Sequence, residues 1–465
     1  MKASSIFLFI LLLSVGIFLL NACHSNKMSA TKSSKPAVKI GVGTAPEWSK
    51  NASIYEVNTR QFSAEGTFAA VEAQLPRLKA MGVGIVWFMP ITPIGNKERK
   101  GSLGSYYAVK DYKAVAPEYG SIEDFKHLVK QAHDLGMYVI IDWVGNHSSA
   151  DNNWVTTHPD YYTRNEAGQM QPPVADWSDV LDLNYDNKDL RKDMIAAMKF
   201  WVTTCNIDGF RCDVAEMVPN DFWKEAITAI NTDKKGLFWL AEGENPGLHQ
   251  AGFHATYGWE MHHLLKDIAQ GQKTVADLDA YFNKNTANYS PDAYRLCFTT
   301  NHDENSWNGT EREKFGDAAK TMFAICATSP AGIPLVYTGQ ESGLNKRLKF
   351  FEKDAVEWGN YSEKDFFTRI LQLKQKNSAL WNGAYGGSYE RIQTGKDNDV
   401  IAYMRKNGKN RVLVVANLSN KKQKIMLNGK AFAGNYNEIF SQKNRSFRGN
   451  EPLDLNAWEY RIWAQ

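Results

Sequence analysis

A helix-then-strand phrase recurs along this chain, and it restricts the fold more than any other feature. Residues 121–135 place Phe125, Leu128, Val129, Ala132 and Leu135 on one helical stripe. Ser121 and Asp124 make a capping pair at its start, and Gly136 is placed to stop it. The apolar strand 138–142 follows. The same phrase runs from a helix at 68–81, which Pro76 is expected to kink, through Gly82 into a strand at 85–90. Later copies lead from Leu190 into 209–214, and from Asp221 through Gly236 into 238–242. Residues 54–57, 254–259, 295–300 and 333–338 complete a set of strands, about eight in all. Helical crossovers between such strands give parallel pairing, in either an open sheet or a closed (β/α) barrel.

Three stretches, 208–213, 240–242 and 301–303, bring Asp213, Glu242 and Asp303 to strand ends. The strands are otherwise apolar runs, so these acids do not serve to fill a core. Acids scattered over several strand ends favour the barrel, whose active sites lie at the carboxyl face of the strands. Arg211 stands two residues before Asp213 and so faces the same way. Glu244 competes with Glu242, because alternation would point both in one direction. No glycine-rich phosphate or dinucleotide fingerprint opens any helix, which weakens a nucleotide-binding reading. A barrel aldolase or lyase would want a Schiff-base lysine at a strand end, and none of these strand ends supplies one.

The chain has 465 residues, enough for a large domain and a smaller one. Its net charge of +3 gives no reason to expect nucleic acid. Residues 1–22 read as a secretory signal: Met1-Lys2, then an apolar run too short for a membrane span. Leu20-Asn21-Ala22-Cys23 is similar to a bacterial lipoprotein box, which implies lipidation at Cys23. Residues 23–45 read as a flexible tether. The expected location is the bacterial cell envelope, lipid-anchored to the outer membrane on its periplasmic or surface face. The barrel is expected over 46–383. A polar, aromatic insertion after the third strand makes a subdomain at 148–186, and an antiparallel β-sandwich follows at 384–465. Cys205, Cys212, Cys297 and Cys326 match no metal spacing and read as buried free thiols.

Four motifs now fall in order. Asp142-Trp-Val-Gly-Asn146-His147, Gly209-Phe-Arg211-Cys-Asp213, Glu242 after Phe-Trp-Leu-Ala, and Asn301-His302-Asp303 resemble those of the α-amylase family, glycoside hydrolase family 13. The resemblance covers essentially all of the mature length. It implies a (β/α)8 TIM barrel and hydrolysis of α-1,4-glucosidic bonds in starch, maltodextrins or related α-glucans. Asp213 would be the nucleophile, Glu242 the acid and base, and Asp303 the stabiliser of an oxocarbenium-like transition state. Arg211 would keep Asp213 ionised, and Glu242 would need drier surroundings than Asp213. His147 and His302 would bind hydroxyls of one sugar. Tyr107 would be its aromatic platform, with Tyr106 as the competing choice. Among Trp143, Trp154, Trp177 and Trp259, some role against sugar faces is expected beside core packing.

Neighbouring strands ~4.8 Å apart allow carboxylates ~5–5.5 Å apart, the spacing of a retaining enzyme with a covalent intermediate. The resemblance also implies a calcium ion at Asn146, Asp182 and the backbone carbonyl of Met217, and no organic cofactor. Neopullulanase- or cyclomaltodextrinase-type hydrolysis and transglycosylation stay open as alternatives. A non-catalytic α-glucan-binding protein is a third, although such relatives typically lose an acid.

Overall fold

The computed structural model describes residues 43–465, so the signal segment, Cys23 and the tether up to residue 42 lie outside the described residues. All eight strands form, and they close. They are β1 (Ile54–Val57), β2 (Ile85–Phe88), β3 (Tyr138–Trp143), β4 (Gly209–Cys212), β5 (Phe238–Ala241), β6 (Ala255–Tyr257), β7 (Tyr294–Cys297) and β8 (Gly332–Tyr337). Each pairs in parallel with its neighbours in sequence, and β8 returns to pair with β1 through Leu335 opposite Ile54. Side chains alternate along each strand. One set, including Ile54, Ile85, Ile140, Leu240, Leu296 and Leu335, fills the barrel. The other set packs outward on the helices.

The helix Ile122–Asp134 carries the complete Ser121–Asp124 capping box, and Gly136 turns the chain with φ +69°. The expected helix at 68–81 is instead two helices, Phe68–Glu72 and Leu75–Met81. Pro76 sits in the first turn of the second, where its missing N–H needs no partner. It therefore permits a new start and does not kink a continuous helix.

After β3 the chain leaves the barrel. Two short antiparallel strands, His147–Ser149 and Val180–Asp182, pair His147 with Asp182 and fold the insertion back over the mouth. At the C-terminus, a six-stranded antiparallel sheet packs with a two-stranded one over a core that includes Val400, Leu413, Phe432, Leu455 and Trp463. The alternating or apolar runs that the sequence places at 398–406, 410–419, 422–427 and 458–463 appear as the strands Val400–Asn407, Asn410–Asn417, Gln423–Leu427 and Tyr460–Ala464. Ser388–Arg391, Gly434–Glu438, Asn444–Phe447 and Glu451–Leu455 join them. Cys205, Cys212, Cys297 and Cys326 are free and buried, as expected. Among the described residues, no helix is long and apolar enough to cross a membrane.

Candidate active site

The mouth of the barrel is ordered by its backbone first. Beyond the ends of β4 and β5 the ladder continues: Glu242 N–H donates to Cys212 O at 2.9 Å, and Ala215 N–H to Glu242 O at 3.0 Å. Asp213 and Glu242, each the first residue after its strand, are therefore held side by side. Between Asp213 and Ala215 the chain passes through Val214 in the left-handed region, φ 34° and ψ 47°. A β-branched residue adopts this conformation only under constraint, and such outliers gather at functional sites. Here it aims the Val214 N–H at Glu242 Oε2, 2.8 Å away.

Arg211, on β4 and fully buried, ties the acids together. Its Nη1 donates to Asp142 Oδ1 at 2.9 Å and Asp213 Oδ1 at 2.8 Å, and its Nη2 lies 3.0 Å from Glu242 Oε2. Its Nε donates to the Tyr257 hydroxyl at 3.1 Å. Asp213, Glu242 and Asp303 all line one cavity of about 450 Å³, together with Tyr107, His147, His302 and Trp177. Asp303 arrives differently from the other two. Strand β7 ends at Cys297, so Asp303 stands beyond a loop and not at the strand end expected from sequence.

His302 is clamped on both ring nitrogens. Nδ1 meets Glu56 Oε1, and Nε2 lies 2.7 Å from the Tyr107 hydroxyl and 3.3 Å from Asp303 Oδ2. Burial alone would discharge it, but Asp303 and Glu56 carry its pKa up to about 9. At His147 burial outweighs the more weakly felt Asp179 and the Tyr107 backbone, and its pKa falls to about 4. It is neutral at pH 7, able to donate through one nitrogen and accept on the other.

Five carboxyl groups (Glu56, Asp142, Asp213, Glu242 and Asp303) face two cations, Arg211 and His302. Burial pushes all five acids up, and the two cations oppose it. Such a cluster titrates as a unit. The expectation that Glu242 is drier than Asp213 does not hold: their side chains are 13% and 9% exposed. Hydrogen bonding separates them instead. Arg211 gives Asp213 a charge-assisted hydrogen bond, whereas Glu242 accepts only the neutral Val214 N–H and its contact with Arg211 Nη2 lacks hydrogen-bond geometry. The ionised form is favoured at Asp213, which leaves the proton to Glu242.

The rivals fall away from the cavity. Glu244 does not follow the alternation, because β5 ends at Ala241 and Gly243 turns at φ +156°. Its carboxylate accepts from Arg295 at 2.6 Å and from the Glu260 N–H at 3.0 Å. The Tyr106 ring packs under the Arg60 guanidinium at 4.0 Å, while Tyr107 faces the cavity. Of the four tryptophans, Trp177 lines the cavity, its ring 5.3 Å from that of His147. Trp143 packs in the core, half-buried Trp154 lies against it, and Trp259 lies on Phe298. Sequence reasoning missed Glu56, whose signal was a lone acid in an apolar strand. It also missed Trp307, on the π-helical turn Glu304–Asn308, and Phe350, aromatics that line the rim.

The residues assigned to calcium do not complete a cage. Asp182 Oδ2 accepts from Thr163 Oγ1 at 2.8 Å, and Asn146 Nδ2 lies 3.3 Å from His147 Nδ1. Among the described residues, no group of three or more His, Cys, Asp or Glu side chains stands ready for a metal. One carboxylate and one amide are few oxygens for an ion that takes 6–8.

Known proteins place this geometry. The α-amylase catalytic-domain profile matches residues 43–178 and 174–378, and that of the α-amylase SusG C-terminal domain matches 400–462. α-Amylase MalA of Haloarcula japonica is 27% identical over 80% of this chain, which spans 56% of that longer protein. α-Amylase 3 of Dictyoglomus thermophilum is 25% identical over 80% of this chain and 85% of its own length. The crystal structure of an α-amylase from Lactobacillus plantarum superposes with a TM-score of 0.81 at 29% identity, covering 90% of this chain and 99% of that one. With the catalytic-domain profile matched across the whole barrel and three acids meeting at its mouth, this chain belongs to the α-amylase family.

Proposed function

We propose that this protein is a retaining glycoside hydrolase acting on α-1,4-linked glucans. The observation that carries this is the convergence of Asp213, Glu242 and Asp303 on one cavity, with Arg211 bridging the first two. An α-glucan enters with one ring against Tyr107, and His147 holds hydroxyls of that ring. Asp213, kept ionised by Arg211, attacks the anomeric carbon. Glu242 donates its proton to the departing glycosidic oxygen, so the bond breaks without expelling an alkoxide. Asp303 faces the developing positive charge on the ring. A water then enters, Glu242 removes its proton, and the glycosyl–Asp213 ester opens with a second inversion. The two inversions restore the α configuration.

Lys100, 3.1 Å from Asp179, joins Trp177 in walling one side of the cavity. That enclosure supports cleavage of oligosaccharide-sized segments. The test is NMR of the first product from maltoheptaose, with pullulan and cyclodextrin in parallel. The α anomer should appear first, and a β anomer would sink the mechanism. Faster turnover of cyclodextrin than of maltoheptaose would move the assignment to the cyclomaltodextrinase type.

A further inference from the structure

Beneath the three acids lies a residue to which none of the four motifs extends. Glu56, on β1, is completely buried, and its Oε2 has no hydrogen-bond partner. Its Oε1 contacts His302 Nδ1, and from there a chain of contacts runs across the barrel. His302 Nε2 is 2.7 Å from the Tyr107 hydroxyl, which is 3.1 Å from Asp142 Oδ2. Asp142 Oδ1 shares Arg211 Nη1 with Asp213.

Tyr107 has one hydroxyl proton for two neighbours, so the charge on His302 decides where it points. A ring protonated only at Nδ1 would draw the Tyr107 proton to Nε2, and Asp142 Oδ2 would lose its donor. A ring protonated at both nitrogens donates to Glu56 and to the Tyr107 oxygen, which frees the Tyr107 proton for Asp142. With that second donor, Asp142 leans less on Arg211 Nη1.

We propose, on the hydrolase reading above, that Glu56 is a positioning residue. Its buried carboxylate holds His302 as an imidazolium, orients the hydrogen bonds from His302 through Tyr107 to Asp142, and so leaves Arg211 Nη1 to Asp213. The other groups facing the ring cannot do this from the Nδ1 side. Tyr107 and Asp303 meet Nε2, while Asp142, Asp213 and Glu242 act from further across the mouth, where Arg211 opposes them. The imidazolium persists to about pH 9. Because a partner raises this histidine, the arrangement is present below that pH and is lost as pH rises through it.

The experiment is NMR of histidine-labelled protein, with His302 identified by the signal missing in His302→Asn. In the unmodified protein both ring nitrogens should be protonated at pH 7. In Glu56→Gln the midpoint should fall by about two units or more, and the ratio of kcat/KM at pH 8 to that at pH 5.5 should fall about tenfold. Glu56→Asp, which keeps the charge, should recover part of that ratio. A neutral His302 at pH 7 in the unmodified protein overturns the proposal, as does a pH profile unmoved in Glu56→Gln. Should Glu56→Gln fail to fold, the ring state of the unmodified protein and the profile of Glu56→Asp still decide. If maltoheptaose is not cleaved at all, the hydrolase reading fails, while the NMR result continues to judge Glu56.

Discussion

Arg211 at the mouth of the barrel and the pair Lys374 and Arg405 at its foot are buried to the same degree, yet their partners differ in kind. Arg211 meets carboxylates from three strand ends. Lys374 meets only the carbonyls of Gly332, where β8 begins, and Leu380. Arg405, on the C-terminal sheet, donates to the carbonyls of Thr328, Ser329 and Gly387. Carbonyls satisfy N–H groups but bring no opposite charge. Burial therefore dominates at the foot, pulling Lys374 down to about 7 and Arg405 to about 10. At the mouth, Asp142 and Glu242 outweigh burial and hold Arg211 charged. The foot uses cations to fasten the C-terminal sheet to the barrel. The mouth uses one to crowd acids together, an arrangement that favours chemistry over stability.

If that contrast is right, substitutions at the two ends should separate activity from stability. The largest effect belongs to Asp213→Asn, which should lower kcat by about 10⁴-fold or more. Its thermal midpoint, read by calorimetry, should hold or rise because a buried like charge has gone. A clear fall in that midpoint would erase the contrast. Next comes Arg405→Met, which strands three carbonyls and should cost about 2–4 kcal/mol in denaturant unfolding while kcat stays within about threefold. A loss of kcat with stability retained would reverse the assignment of the foot. The smallest effect is a slope. Lys374 binds its proton in the unfolded chain up to about pH 10.4, but in the folded protein only up to about 7. The unfolded state holds more protons between those values, so stability should rise with pH across that window. Comparison of urea midpoints at pH 7 and pH 9 would detect it, and Lys374→Met should flatten the rise.

The barrel was readable because its determinants are local. Each strand is an apolar run bounded by glycine or a capped helix, as at Ser121, Gly136 and the strand 138–143. Asp213 and Glu242 were legible for the same reason, since an acid that closes an apolar run announces a strand end. Glu244 was misjudged because alternation was extended past Ala241, where the strand had already stopped. The four additional C-terminal strands escaped because their residues are largely polar, as in Gly434–Glu438, where only Tyr436 and Glu438 are buried. Glu56 escaped because its role exists only in three dimensions: nothing near it in sequence contacts His302. The unequal hold of Arg211 on Asp213 and Glu242 was equally beyond reach, since it depends on one guanidinium set between two strand ends.

The left-handed turn at Val214 has a mechanical consequence. One peptide group follows Asp213 and grips Glu242, so neither carboxylate can drift without dragging the other. The gap between them is fixed by main chain as well as by the Arg211 side chain. Remodelling the cavity wall, at Trp177 or Trp307 for instance, should therefore change which glucans are accepted and how tightly, while the handedness of the product stays as it was.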